Sequence, residues 1–481
     1  MTVENADISE FEYGIYLNST SDNTIKGNTL TSNAWDGISL YNSARNTLTQ
    51  NHVLGNGECG IWLMHESDNN IIITNYAENN TVGIRIYTSS NNTLQNNTIT
   101  SNEQGIWLTD SGNNTLISNR MNANQYNFGV EGDRVQHFTN NVDTSNTINQ
   151  KPAYYLINKH NLMIPSDANY LALINCTNIT VHKLSLTKNI QGILLIHTTN
   201  VTVSQCVIRS NYNSGIHLDL NSSKTCIAEN MITGNWNGIS IYSSHDNRVS
   251  GNSVYSNNWS GVTLNCSSNN QIADNNLTKN YDGGIELWSS SNFNNVTRNI
   301  SESNGDEGIE LMRSSSYNSV SQNTLSYDNV GIYILNSSNN QITNNNFIHN
   351  TMQTQTYDST NAWNLDQLSG GNYWTDYAGT DNNADGIGDT PLTIGINNQD
   401  NYPLMHRWKL GDVNYDGSIN ITDLYSIAET LGRHIGHSDW NPRTDLRRDG
   451  VINVLDLIIE AQCQKLDTLT THAIPSTCTT K

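Results

Sequence analysis

Gly14-Ile15-Tyr16-Leu17, Gly37-Ile38-Ser39-Leu40, Gly60-Ile61-Trp62-Leu63, Gly83-Ile84-Arg85-Ile86 and Gly105-Ile106-Trp107-Leu108 are five copies of one tetrad, their glycines 23, 23, 23 and 22 residues apart. A second run starts at Gly192-Ile193 and continues at Gly215, Gly238, Gly261, Gly284, Gly308 and Gly331. A fixed period of this length belongs to a stacked solenoid. In each tetrad two aliphatic residues flank a variable one, so the aliphatics point inward and the variable residue faces solvent, as in a short strand. This alternation and the many β-branched residues exclude a helical solenoid. The pattern predicts an all-β fold, a single-stranded right-handed parallel β-helix of about 23 residues per coil over residues 1–350.

About nine residues after ten of these glycines an asparagine recurs: Asn23, Asn46, Asn69, Asn92 and Asn114, then Asn247, Asn270, Asn294, Asn318 and Asn340. Asparagine tolerates left-handed turns, and its amide can bond to the copy one coil on, so these residues are expected to stack at a corner. The repeat lapses between Gly105 and Gly192, and residues 128–169 are read as an irregular insert, a hairpin or lobe projecting from the helix. Cys226 lies 23 residues after Val203 and is expected to face the core. Cys463 and Cys478, both near the C-terminus, could pair, which spacing alone does not show.

Of 481 residues, 35% are hydrophobic and only 14% charged, and mean hydropathy is -0.54, so the polarity comes from Asn, Ser and Thr. That composition suits a repetitive β-solenoid better than a disordered chain. A net charge of -21 argues against nucleic acid, because phosphate contacts need clustered Lys and Arg. No stretch reaches the roughly 20 apolar residues of a membrane span. Sequons at Asn18, Asn91, Asn96, Asn178, Asn200, Asn258 and Asn336 favour export to the cell surface or beyond. The first coil opens abruptly and residues 1–10 carry no basic-then-apolar leader, as expected of a chain that lacks its native N-terminus.

The repeats, the segment DTSNTINQKPAYYLINKHNLMIPSDA (143–168), the block GGNYWTDYAGTDNNADGIGDTPL (370–392) and DNYPLM (400–405) together resemble the NosD-type family of β-helix proteins, also grouped as carbohydrate-binding and sugar-hydrolysis domains. The resemblance covers roughly residues 11–406 and implies a periplasmic or cell-surface β-helix. The family's copper-binding label calls for a cluster of His, Met and Cys, and Met64-His65 stands alone.

Residues 351–407 are read as a C-terminal cap, 408–465 as a small helical calcium module and 466–481 as a tail. In the module Asp412, Asn414, Asp416, Asn420 and Asp423 occupy positions 1, 3, 5, 9 and 12 of a loop with Gly417 at position 6, the spacing of an EF-hand Ca2+ loop leading into a helix. Asp445, Asp449, Asn453 and Asp456 repeat it 33 residues on, with Arg447 in place of one ligand. The pair is similar to a type I dockerin, which implies a cohesin-like protein partner; loop positions 10 and 11, Ile421-Thr422 and Val454-Leu455, depart from the family's Ser-Thr pair. Asp381, Asn383, Asp385 and Asp389 make a third acidic, glycine-punctuated loop that could hold Ca2+.

The variable tetrad position builds an outward column: Tyr16, Ser39, Trp62, Arg85 and Trp107, then His217, Ser240, Thr263, Glu286, Glu310 and Tyr333. Two residues on stand Tyr41, Tyr87, Tyr242 and Trp288. Aromatic faces stack on sugar C–H groups while polar neighbours take hydroxyls, so Trp62, Trp107, Tyr87, Tyr242 and Trp288 are expected to bind a polysaccharide or envelope glycan. Glu286 and Glu310 lie one coil apart, about 5 Å, the carboxyl separation of a retaining glycosidase. They are the candidate catalytic pair if the protein is a hydrolase or lyase. Asp282, Asp306 and Glu307 at the edge of the same coils could instead hold a cation. A structural surface spacer is the remaining reading.

Overall fold

The computed structural model describes residues 1–467, which fall into two compact units, Met1–Asn247 and the chain from Arg248 onward. Both are stacks of short parallel strands with an aliphatic interior.

In the first unit the tetrads form a six-stranded parallel sheet: Ile15–Asn18, Ile38–Tyr41, Cys59–Met64, Val82–Tyr87, Gln104–Thr109 and Tyr126–Glu131. Their register places Ile84 between Ile61 and Ile106, and Arg85 between Trp62 and Trp107. Two further sheets complete each coil, and Leu48, Ile72, Leu94 and Ile99 fill the interior with no exposed surface. The tetrad glycine is required by close approach: a Cβ on Gly14 would sit 2.5 Å from the Gly37 carbonyl oxygen, and one on Gly60 2.7 Å from that of Gly83.

Asparagines stack at three corners. In one ladder the Asn51 amides donate to Asn75 Oδ1 and those of Asn75 to Asn97 Oδ1, at 2.9–3.1 Å. A second runs Asn33, Asn56, Asn80, Asn102, Asn124. The third is the ladder read from sequence, with one correction. Asn46 bonds to Asn70, whereas Asn69 is exposed with φ 58°, because that coil is one residue longer. Such bonds matter because a buried amide left without a partner costs about 1–3 kcal/mol.

The interruption at 128–169 changes which sheet the repeats occupy. Asn127-Phe128-Gly129-Val130 is a degenerate sixth tetrad, in register with Gly105 to Leu108. A 3-10 turn, Val135–Phe138, follows, and Asn141–Val142 and Thr147–Ile148 still extend the older sheets. Thr147–Ile148 then turns back, antiparallel, into Lys151–Ile157, and the strands Tyr170–Ile174, Ile193–Ile196, Ile216–Asp219 and Ile239–Tyr242 stack on it. The tetrads from Gly192 onward therefore continue a different sheet from those ending at Glu131. The outward column expected to run from Trp107 to His217 changes sheet here, and Asn213 of the later run still reaches Glu131 at the end of the earlier one. Cys226 also differs from expectation: it pairs with Thr202 and is half-buried, while Ile227 pairs with Val203 and fills the core, because the coil is 24 residues long.

In the second unit Val262–Asn265, Ile285–Trp288, Glu307–Met312, Val330–Leu335 and Met352–Tyr357 form the tetrad sheet. Phe347, Trp374 and Trp363 close the core, Phe347 and Trp374 stacked at 4.2 Å. Helices Ile421–Glu429 and Val454–Asp467 follow, each after an acidic loop. Asn420 caps the first, accepting from the Thr422 amide at 2.8 Å while Asp423 accepts from the Asn420 amide. Cys463 is a buried free thiol; Cys478, its suggested partner, lies outside the described residues.

Candidate functional site

Register stacks Thr263, Glu286, Glu310 and Tyr333 on successive strands of the second unit. Both glutamates were expected to face solvent, yet Glu286 is 1% and Glu310 6% exposed. The turn before its strand crowds Glu286, where a Cβ on Gly283 would lie 3.4 Å from Cγ. Ser260 Oγ and Thr263 Oγ1, the latter at 3.0 Å, donate to the Glu286 carboxylate, and the Trp288 indole donates to Glu310. Arg313 lies over Trp288, 5.4 Å from the ring centroid.

Asp282, Asp306 and Glu307 sit above this pair, half-buried, with carboxylate oxygens all within 4.8 Å of one another. Five acids thus share one notch. Burial, first, and neighbouring carboxylates push Glu286 and Glu307 up to about 8, and burial pushes Glu310 to about 7 against the lowering hydrogen bond from Trp288. Asp282 is also raised, by burial and then Asp306. Such a cluster can retain protons near neutrality, or release them to a divalent cation; carboxyls perturbed this way concentrate at functional sites.

The five aromatic residues expected on one sugar-binding face fall in three places. Trp62 and Trp107 sandwich Arg85, whose guanidinium carbon lies 5.4 and 4.9 Å from their rings, with Tyr87 on the same sheet beside His65. Tyr242 stands on the other sheet of that unit, 5.4 Å from His217. Trp288 belongs to the second unit's acidic notch. The sequence reading missed Ser260, which holds Glu286, and Glu131, which accepts from Trp107 Nε1 at 3.2 Å. Glu131's signal was the degenerate tetrad 127–130, 22 residues after Gly105.

Three acidic loops share one backbone. Asp381, Asp412 and Asp445 each accept, through Oδ2, from the amide of the glycine five residues on, at 2.9, 2.9 and 2.8 Å. Position 4 is left-handed in each, Ala384, Tyr415 and Arg448 at φ 59°, 59° and 56°. In the first helix-linked loop Asp412 is 3% exposed and its Oδ1 has no hydrogen-bond partner among the described residues. Asn414, Asp416, Asn420 and Asp423 surround it, Asp423 being held by the Val413 amide. That unsatisfied buried oxygen suits Ca2+. In the next loop Arg447 Nη1 lies 2.9 Å from Asp449 Oδ2, and Asp456 accepts from the Arg447 backbone amide. In the cap loop Asp381, Asn383 and Asp385 converge, whereas Asp389 turns to accept from Asn382.

Copper fits less well. Only two groupings of three His, Cys or carboxylate ligands occur among the described residues, the acidic triad and Asp110, Asp133 and His137. A single imidazole with carboxylates is a harder donor set than copper favours.

The profile of the family described as "Periplasmic copper-binding protein (NosD)" matches residues 1–155, 154–300 and 258–379, and that of the type I dockerin domain matches 410–459. No curated protein matches the chain. Among solved structures it is similar to the periplasmic alginate epimerase AlgG (12% identity, 74% of this chain and 76% of that one, TM-score 0.29). It is also similar to the Azotobacter vinelandii mannuronan C-5 epimerase AlgE4 A-module (13%, 72% and 91%, 0.34) and to DFA-IIIase from Arthrobacter chlorophenolicus A6 (11%, 68% and 83%, 0.33). Likenesses this loose carry no argument about activity.

Proposed function

The chain belongs to the periplasmic copper-binding protein (NosD) family and carries a type I dockerin domain, and from these we propose an extracellular or cell-surface protein that binds a polysaccharide or envelope glycan. The observation that carries this reading is the second unit's notch, where Trp288 donates to Glu310 and Glu286 stands one coil away, beside Asp282, Asp306 and Glu307. Carboxylates next to an indole suit hydroxyl groups on one side and a sugar C–H face on the other. Trp62, Tyr87, Trp107 and Tyr242 provide further aromatic contacts in the first unit.

The dockerin domain takes Ca2+ at Asp412, Asn414, Asp416, Asn420 and Asp423, and docks on a cohesin-like protein. Its second loop, Asp445, Asp449, Asn453 and Asp456, is the second Ca2+ site, weakened by Arg447, which replaces one ligand and pairs with Asp449. The cap loop Asp381, Asn383 and Asp385 takes Ca2+ as well, with Asp389 closing the turn.

A second reading, cleavage of the bound polymer, is favoured by the raised Glu286 and Glu310, one of which could hold a proton for a leaving group while its neighbour is ionised. Glu286→Gln/Glu310→Gln, compared with the parent on a glycan array and in a reducing-end assay, separates the readings. Loss of array signal with no sugar release in either form supports binding, and release by the parent alone supports cleavage. An array on which the parent binds nothing overturns both.

A further inference from the structure

The first unit contains a second polar cavity that neither the repeat nor the notch explains. It lies where the six-stranded sheet stops at Glu131 and the re-entrant sheet begins, and encloses about 290 Å³. Its floor is apolar: Val130, Phe138 and Leu194 are each at most 2% exposed.

Its wall is an ordered set of hydrogen-bonding groups. Glu131 Oε1 accepts from Gln191 Nε2 at 3.4 Å and Asn213 Nδ2 at 3.1 Å, while Oε2 takes the Trp107 indole. Glu131 thereby accepts three hydrogen bonds and holds Gln191 by its amide nitrogen. Gln191 is 2% exposed, and its Oε1 has no hydrogen-bond partner among the described residues. His217 Nδ1 is likewise buried and unpartnered, and its Nε2 lies 3.8 Å from Asp219 Oδ2. A buried carbonyl without a donor costs the fold, which makes it a place where a bound hydroxyl would be repaid.

We propose that this cavity is a subsite for one neutral sugar unit, its hydroxyls donating to Gln191 Oε1 and Asp219 and accepting from His217, its C–H face resting on Val130 and Leu194. The size lies at the lower end of ligand cavities, about 300 Å³, which fits one ring and not a chain segment. Glu131 and Asp219 would repel an anionic sugar, so uronates are excluded from it. Glu131 acts as a positioning residue through Gln191. The assignment rests on the carbohydrate reading above and adds to it the place and the charge of the unit bound.

The test is isothermal titration of the full chain with glucose, galactose, mannose, N-acetylglucosamine and glucuronate, on the parent, Gln191→Met, Asp219→Asn and Glu286→Gln/Glu310→Gln. At least one neutral sugar is expected to bind at one site per chain, with glucuronate failing. Gln191→Met and Asp219→Asn should each weaken that binding tenfold or more, and a loss confined to the double glutamate variant would put the binding in the notch and overturn the subsite. Circular dichroism confirms that each variant is folded, and Asp219→Asn serves if Gln191→Met is not. The subsite is overturned if none of the neutral sugars binds, or if both variants bind as the parent does. Glycan-array binding that survives such a result leaves the broader carbohydrate reading standing; its loss removes both.

Discussion

Asp328 occupies a rung that asparagine fills elsewhere in its ladder. Asn257 bonds to Asn280 and Asn280 to Asn304, and Asn304 then donates both amides to Asp328 Oδ1 at 2.8 and 3.1 Å. Asp328 is 1% exposed, and its Oδ2 stands where an asparagine would present NH2, without a hydrogen-bond partner among the described residues. Burial, only partly offset by the Asn304 bonds and reinforced by Glu302, pushes its carboxyl from 3.8 to about 7. A carboxyl whose folded pKa lies above its unfolded one stabilises the fold only while protonated. Its contribution is intact below about pH 3.8 and is lost as pH rises to about 7. At about 1.36 kcal/mol per pKa unit the full loss is about 4 kcal/mol. Asp328→Asn removes the titration and supplies the missing donor. Urea unfolding of both proteins, followed by circular dichroism, should therefore show the variant gaining over the parent by about 3 kcal/mol between about pH 4.5 and about pH 8.5. A gap that stays flat with pH, or a variant less stable than the parent in alkali, would refute this account of the ladder.

Asn75→Ala leaves both Asn51 amides without their acceptor and takes one donor each from the Leu48 carbonyl and from Asn97 Oδ1, which keeps the backbone amide of residue 75, and should lower stability by about 2–3 kcal/mol in the same urea assay; a loss under about 1 kcal/mol would mean water replaces the rung. Arg447→Asn removes the guanidinium beside Asp449 and is expected to add one Ca2+ per chain in calorimetric titration; unchanged stoichiometry would mean that another feature weakens this loop. Tyr415 packs on Ile387 and Leu404, donates to the Ser369 carbonyl at 3.0 Å and lies 3.9 Å beneath Arg443. Tyr415→Ala should cost about 3–5 kcal/mol in the transition that reports the cap and speed limited proteolysis between residues 405 and 412, whereas an unchanged digestion pattern would show that this contact does not hold the calcium module to the cap.

The chain's own sequence determined the solenoid, because glycine spaced by one coil, inward aliphatics and corner asparagines are all local consequences of stacking. The calcium loops were legible for the same reason: Asp412 and Gly417 meet within six residues, so spacing alone sets their geometry. Other features depended on how coils met, which a constant period of 23 cannot express. One extra residue moved the ladder from Asn69 to Asn70 and the core position from Cys226 to Ile227. The hairpin at 147–157 carried the later tetrads to a different sheet, dividing the expected aromatic column and bringing Glu131 to Gln191 across 60 residues of chain. Burial was the other decision left to tertiary structure. Alternation placed Glu286 and Glu310 outside the core, but their neighbours in the fold took away their water, and that desolvation is what makes them chemically unusual.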